Sequence, residues 1–246
     1  MQDNIYKDDE TVEDLQYNGL RIIQKKTGFR FGCDAVLLSG FVEIKNNHDI
    51  IDFGTGTGII PILLAGYTKS GKITGIEIQS ELADMAKRSV LMNGLEDRIS
   101  IREADLKETS SIFGKAVFDT VVSNPPYMKC GTGAVSENES KLISRHEYKC
   151  VFDDIAREAS LLLKPGGSLY LVHRPNRLTE IICKLKEYGL EPKKIRFVHP
   201  RAEKAPNLFL IKALKGGKED LKILDPFYIY DKDGNFCGGF EDIRGH

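Results

Sequence analysis

Two stretches of the chain carry residue types that could do chemistry: Asn124-Pro125-Pro126-Tyr127 and Asp52-Phe53-Gly54-Thr55-Gly56-Thr57-Gly58. In the first, two prolines fix the backbone and remove its donors, so an amide and a phenol are held rigidly close together. The Asn124 side-chain oxygen accepts hydrogen bonds, and the Tyr127 ring can stack on a planar substrate. In the second, an acid is followed by glycine at every second position. Glycine turns a backbone sharply and, lacking Cβ, lets a ligand lie directly against it. Glu77 comes about 20 residues later, where nucleotide-binding folds keep an acid that accepts hydrogen bonds from ribose hydroxyls.

Spacing narrows the ligand. The dinucleotide fingerprint needs glycine or alanine five positions after its first glycine, and counting from Gly54 that place holds Ile59. A phosphate-cradling P-loop needs Gly-Lys-Ser/Thr, which does not follow here. An ordinary tight turn between strand and helix is the plain alternative.

These residues need elements to position them. Ile50 to Phe53 reads as a buried strand, and Ile59 to Ala65 as a helix that tolerates Pro61 in its first turn. Lys72 to Ile78 is a second strand with Glu77 near its end. Ser80 is expected to cap a helix running to Asn93, closed by Gly94. Arg98 to Arg102 alternates as a third strand, followed by Ala104-Asp105-Leu106. Phe118 to Ser123 is a fourth strand that delivers Asn124 to the carboxyl edge of the sheet, where open parallel sheets bind ligands. Phe152 to Leu163 reads as a helix broken by Lys164-Pro165-Gly166-Gly167. Ser168 to His173 is a fifth strand, and Asn176 to Tyr188 a helix ended by Gly189. Lys193 to His199 and Asn207 to Leu214 form a closing antiparallel pair.

Ahead of these elements, residues 1–19 read as a loose acidic lead-in. Leu20 to Gln24 and Phe29 to Phe31 read as a hairpin, and Asp34 as the N-cap of a helix from Ala35 to Phe41. At the other end, Pro226 to Tyr230 suggests a strand and turn packing back on the domain. The expected organisation is an N-terminal lid at 1–48, a ligand-binding domain at 49–215 and a C-terminal extension at 216–246. The fold class is α/β and Rossmann-like: a seven-stranded, mostly parallel sheet with helices on both faces.

Composition sets outer limits. The chain has 246 residues, 41% hydrophobic and 29% charged, enough for a sizeable core and typical of a water-soluble protein. No apolar run approaches the ~18 residues of a membrane span. The N-terminus carries no basic and apolar leader of the secretory kind. Cys33, Cys130, Cys150, Cys183 and Cys237 are scattered without metal-ligand spacing, which suggests reduced thiols in a cytoplasmic protein. Net charge is −1, yet Lys164 to Lys218 holds thirteen basic and four acidic residues. Such a surplus marks either a nucleic-acid face or a solvated lysine-rich surface. Lys193, Lys194, Arg196 and Arg201 cluster around one predicted strand and are the first residues to test.

Asp-x-Gly-x-Gly-x-Gly resembles motif I of the class I S-adenosylmethionine (SAM) methyltransferases. Asn-Pro-Pro-Tyr at the fourth strand resembles motif IV of those that act on planar nitrogens: adenine N6, cytosine N4 or a glutamine amide. The Phe-x-Phe-Gly-x-Asp-Ala-Val-Leu-Leu run and the chain as a whole are most similar to the bacterial tRNA1(Val) (adenine(37)-N6)-methyltransferases. This resemblance implies a SAM site built from Asp52, Gly54, Gly56, Gly58, Glu77, Ile78, Asp105, Leu106 and Asn124. Glu77 would hold both ribose hydroxyls, and Asp105 with the next backbone N–H would read the adenine of the cofactor. Asn124, Pro125 and Tyr127 would be catalytic, and no metal would be needed. An exocyclic amine has its lone pair delocalised into the ring. The Asn124 oxygen and the Pro125 carbonyl would accept its two N–H groups and favour positive charge on nitrogen in the transition state. Arg145-His146-Glu147 also matches the resembled group; His146 reads as a structural or substrate-contacting residue more than as a base.

The resemblance implies an adenine of a tRNA anticodon loop as the target. Three rival readings stay open. One is a release-factor glutamine methyltransferase, whose family carries a helical N-terminal domain that this chain does not show. Another is an rRNA base methyltransferase. The third is a nucleotide-binding module without catalysis, which would have no use for a rigid Asn-Pro-Pro-Tyr.

Overall fold

The computed structural model describes residues 5–27, 32–45, 47–68, 71–127 and 152–244. The expected return strand at Phe29 to Phe31, the loop from Met128 to Ser140 and His146 lie outside the described residues.

Strand β3 (Ile50–Phe53) and strand β4 (Ile73–Glu77) are buried along their whole length, as parallel strands covered on both faces must be. They pair with each other, and β4 pairs with β5 (Ile99–Glu103) on one side. On the other side lie β6 (Phe118–Ser123), β7 (Leu163–His173), β9 (Leu208–Lys215) and β8 (Leu190–His199). The spatial order is β8-β9-β7-β6-β3-β4-β5, parallel except for β9. This is the expected seven-stranded sheet. Two short strands, β10 (Lys222–Ile223) and β11 (Phe227–Tyr228), add to the outer edge of β8, so nine strands are joined among the described residues.

Alternate side chains along each strand feed two cores. Ile50, Val122, Tyr170 and Val172 join the layer formed by α1 (Cys33–Phe41), α2 (Ile59–Tyr67), α3 (Ser80–Met92) and α7 (Phe240–Arg244). Ile51, Phe53, Val121, Leu169 and Leu171 join the opposite layer, formed by α5 (Phe152–Leu162) and α6 (Leu178–Glu187). The short α4 (Thr109–Phe113) adds Phe113 to that second core. None of the described helices is long and apolar enough to cross a membrane.

Four expectations are corrected. Residues 10–14 are not loose: strand β1 (Glu10–Asp14) pairs antiparallel with β2 (Arg21–Lys25). A fully buried Glu10 makes this possible, because the Arg88 guanidinium of α3 grips its carboxylate at 2.6 and 2.7 Å. The hairpin docks on α3, where the Ile23 N–H donates to Ser89 Oγ at 3.0 Å. Second, Asp34 is not an N-cap: Gly32 holds that place, and Asp34 sits in the first turn of α1. Third, Ser80 is the first residue of α3, behind an N-cap at Gln79 that makes no side-chain bond. Fourth, Lys164-Pro165-Gly166-Gly167 does not separate helix from strand. β7 already pairs at Leu163 with Phe118, and the four residues bulge out before pairing resumes at Ser168 with Thr120.

Candidate active site

Register sets the site. Phe53 pairs with Ile76 on one side and with Ser123 on the other. Glu77, the glycine turn and Asn124 therefore leave the sheet side by side at its carboxyl edge. Glu77 pairs with Glu103, which brings Asp105 to the same edge. Ser123 pairs with Leu171, which brings His173 there as well.

The glycine turn is tied down by backbone. The N–H groups of Gly54 and Thr55 both donate to the Ile76 carbonyl at 2.9 Å, and the Gly58 N–H donates to the Thr55 carbonyl at 2.9 Å. Gly54 and Gly56 have φ of 70° and 57°, a left-handed conformation that glycine adopts without strain. A Cβ built at either would meet nothing within 4 Å, so the turn faces open space. Gly58 caps α2 in the same left-handed region.

Two acids flank this turn in different states. Glu77, 5% exposed, accepts from the Gly56 N–H through Oε2 and from the Gln79 N–H through Oε1, each at 2.9 Å. Asp52 is fully buried, and neither of its oxygens has a hydrogen-bond partner among the described residues. Burial pushes its pKa up to about 7; the neighbouring Thr55 hydroxyl opposes that rise and the Glu77 charge adds to it. Asp105 turns its side chain onto its own 3₁₀ turn, where Oδ1 accepts from the Lys107 N–H at 3.0 Å. Ile78 and Leu106 are half-buried beside these acids.

The residues fit the cofactor that the motifs imply. The open cradle at Gly54 and Gly56 leaves room for a ligand against the backbone, and the orphaned Asp52 carboxylate suits a positively charged amine such as that of SAM. Gly54, Gly56 and Glu77 would hold the ribose and methionine portions, with Asp105 and Leu106 near the adenine.

On the other side of the turn, Asn124 is half-buried and Pro125 buried. Tyr127 Oη lies 2.9 Å from Asn124 Oδ1 and 2.6 Å from Asp34 Oδ2. The Tyr127 ring packs edge-on against His173, with centroids 5.2 Å apart, and the Arg174 guanidinium covers it at 4.9 Å. Burial, reinforced by the Asp34 charge, raises the Tyr127 pKa well above the usual phenol range, so the ring stays protonated. With Arg174 in place, one face of Tyr127 is already taken, and a base can stack only on the other.

His173 was not singled out from the sequence, although its place at the end of the fifth strand was a usable signal. It is 1% exposed, and its Nδ1 accepts from the Arg174 backbone N–H at 2.8 Å. Burial first, and then the Arg177 charge, push its pKa down to about 4. It is therefore neutral near pH 7, with its proton on Nε2. Asp34 and Arg174 were also missed as parts of the site.

The basic cluster divides. Arg196 is 6% exposed, and its Nη1 donates to the Ile243 carbonyl at 3.4 Å. Lys194 pairs with Glu43 at the amino-terminal half of β8, and Lys193 donates to the Lys218 carbonyl at 2.9 Å. Lys194, Arg196, Lys212 and Lys164 line a cavity of about 630 Å³ that also takes in Phe41 and Tyr170. Burial thus removes Arg196 from the expected RNA-facing group, while Lys194 shares the Glu43 carboxylate with Lys212. Arg201, by contrast, follows the carboxyl end of β8 on the same edge as Asn124, and it is exposed.

Comparison with known proteins agrees with this geometry. The family described as methyltransferase small domain matches residues 32–187. A tRNA1(Val) (adenine(37)-N6)-methyltransferase of Porphyromonas gingivalis is 31% identical over 195 residues, covering 77% of this chain and 76% of that protein. One of Phocaeicola vulgatus is 26% identical over 201 residues, covering 80% and 82%. Among solved structures, a predicted O-methyltransferase from Agrobacterium tumefaciens superposes with a TM-score of 0.69 at 26% identity, covering 86% of this chain and 95% of that one.

Proposed function

The chain belongs to the methyltransferase small domain family and is a SAM-dependent class I methyltransferase, and from that premise we propose that it methylates N6 of adenine 37 in tRNA1(Val). The supporting observation is the register of β3 against β6, which sets the Asn124 turn next to the Gly54 turn. An amine acceptor held by Asn124 would sit beside a cofactor held by the glycines. A cytoplasmic location goes with this substrate. In the same reading, residues 1–48 flank the site through α1, residues 49–215 form the catalytic domain, and residues 216–246 are an extension packed on it.

SAM, when bound, supplies a methyl group carried on a sulfonium. The protein's own residues do the rest. The Asn124 side-chain oxygen and the Pro125 carbonyl accept N–H bonds from the target amine. Both bonds strengthen as the nitrogen gains positive charge, so they favour the transition state over the ground state. Tyr127 would stack on the adenine. No side chain has to remove a proton beforehand, because the methylated amine is acidic enough to lose one to water. His173 is neutral but buried against Tyr127 and Phe209, so it shapes the wall of the site. A purine in an unpaired loop costs less to extrude than a paired base, which suits an anticodon loop.

The test is transfer of labelled methyl from SAM to unmodified tRNA1(Val), followed by mass mapping of the nucleoside at position 37. Labelling of a release-factor glutamine with no labelling of tRNA would replace this reading with the glutamine one. Labelling of rRNA alone would move the substrate to the ribosome.

A further inference from the structure

Asp34 has no part in the chemistry described so far, yet it makes the shortest contact in the site. Its carboxylate reaches Tyr127 from 93 positions away in the chain, at 2.6 Å. The carboxylate is itself anchored, because Oδ1 accepts the Ala35 N–H at 2.9 Å in the first turn of α1. Tyr127 cannot swing away easily, since it is packed against His173 and covered by Arg174.

A phenol carries one proton but here touches two side chains. The carboxylate oxygen at 2.6 Å is the stronger acceptor and takes that proton. Toward Asn124, at 2.9 Å, the Tyr127 oxygen can then offer only lone pairs. An amide oxygen in that place would face another oxygen with no proton between them. Half a turn of the Asn124 amide exchanges its oxygen and nitrogen without moving any other group. The NH₂ then donates to Tyr127, and the carbonyl oxygen points away from it.

We propose that Asp34 is a positioning residue for methyl transfer: by accepting the Tyr127 proton it fixes the Asn124 amide with its NH₂ on the phenol and its oxygen free for the target amine. Without Asp34, Tyr127 would donate to the Asn124 oxygen instead and occupy the acceptor that the amine needs. The inference rests on the reading of Asn124 as the amine acceptor.

The experiment compares the full-length wild type with Asp34→Ala, Asp34→Asn, Tyr127→Phe and the Asp34→Ala/Tyr127→Phe double variant, using SAM and unmodified tRNA1(Val). Asp34→Ala is expected to lower kcat by about 10–100-fold, the usual scale for losing the orientation of a reacting group. SAM affinity and KM for tRNA should stay within about twofold. Asp34→Asn keeps a neutral acceptor and should recover most of kcat. The double variant should fall no further than Tyr127→Phe alone, because both changes break the same link. An unchanged kcat in Asp34→Ala overturns the proposal. So does a double variant that loses the full Asp34→Ala factor on top of the Tyr127→Phe loss, since Asp34 would then act only through α1. Phe keeps the ring and its packing, so an unchanged kcat in Tyr127→Phe overturns the proposal even if Asp34→Ala does not fold. Absence of methyl transfer by the wild type to tRNA would instead overturn the proposed function, and this inference with it.

Discussion

Glu77 Oε2 accepts the Gly56 N–H at 2.9 Å, so the acid at the end of β4 clamps the glycine turn that follows β3. The other oxygen holds the Gln79 N–H at the start of α3. One carboxylate thus sets the shape of the turn and the entry of the next helix, and in the proposed reading it also holds the cofactor ribose. Glu77→Gln keeps a single carbonyl oxygen for two donors and leaves one backbone N–H without its charged partner. Hydrogen bonds to a charged group contribute about 1.5–3 kcal/mol. SAM affinity measured by calorimetry should fall at least about tenfold, with a lower melting temperature. Wild-type affinity in Glu77→Gln would remove Glu77 from the cofactor site.

Asp52 gives a pH signature. Its pKa rises from an ordinary carboxylate value near 3.8 when unfolded to about 7 when folded. The folded state therefore binds the proton more tightly. Its contribution to stability is complete below the unfolded pKa, shrinks as pH rises toward 7, and is gone above it. Each pH unit in that window costs about 1.4 kcal/mol at most. Asp52→Asn has no such dependence. Relative to wild type, its melting temperature should gain steadily from pH 4 to 7 and level off above, at about 2–4 °C per kcal/mol. The same variant should bind SAM more weakly. A melting-temperature difference that does not change between pH 4 and 8 would show that Asp52 is not buried as an orphan acid.

Asn124→Ala should remove most turnover while leaving SAM affinity nearly intact. The side chain faces Tyr127 on the acceptor side of the glycine turn. Removing one preorganised polar group aimed at a developing charge costs ~2.7–4 kcal/mol, or about 100–1000-fold in rate. The assigned role fails if the variant keeps more than about a tenth of wild-type kcat, a loss of under ~1.4 kcal/mol.

Local signals were legible in the sequence. The glycine turn, Glu77 and Asn124-Pro125-Pro126-Tyr127 announce themselves within a few residues, because turn chemistry and strand ends are encoded locally. Their assembly at one edge followed from the strand order alone. What stayed hidden were partners distant in sequence. Glu10 reads as one more acid in a polar lead-in until Arg88 is placed beside it. Asp34 reads as a helix cap until the fold brings it to Tyr127. The charge surplus of Lys164 to Lys218 is a one-dimensional sum, whereas the fold leaves Lys194 in the middle of β8, buries Arg196 and carries Arg201 past the carboxyl end of the strand.

That division yields the last prediction. Arg201 and Lys204 lie in the exposed connection between β8 and β9, on the same edge as Asn124, and Arg201 sits over Tyr230 at 5.6 Å. Lys193 and Lys194 lie in the middle of β8, short of that edge, and Lys194 shares Glu43 with Lys212. RNA held for reaction at Asn124 should therefore meet the first pair and not the second. Replacing Arg201 and Lys204 by Glu should raise KM for tRNA. It should also flatten the slope of log affinity against log salt by about one for each phosphate no longer neutralised, with SAM binding unchanged. Replacing Lys193 and Lys194 by Gln should leave both the KM and the slope near wild type. Filter-binding titrations across a range of salt concentrations separate the cases. If the Lys193/Lys194 pair shifts the slope as much as the Arg201/Lys204 pair, the RNA runs along β8, and an RNA path confined to the carboxyl edge is wrong.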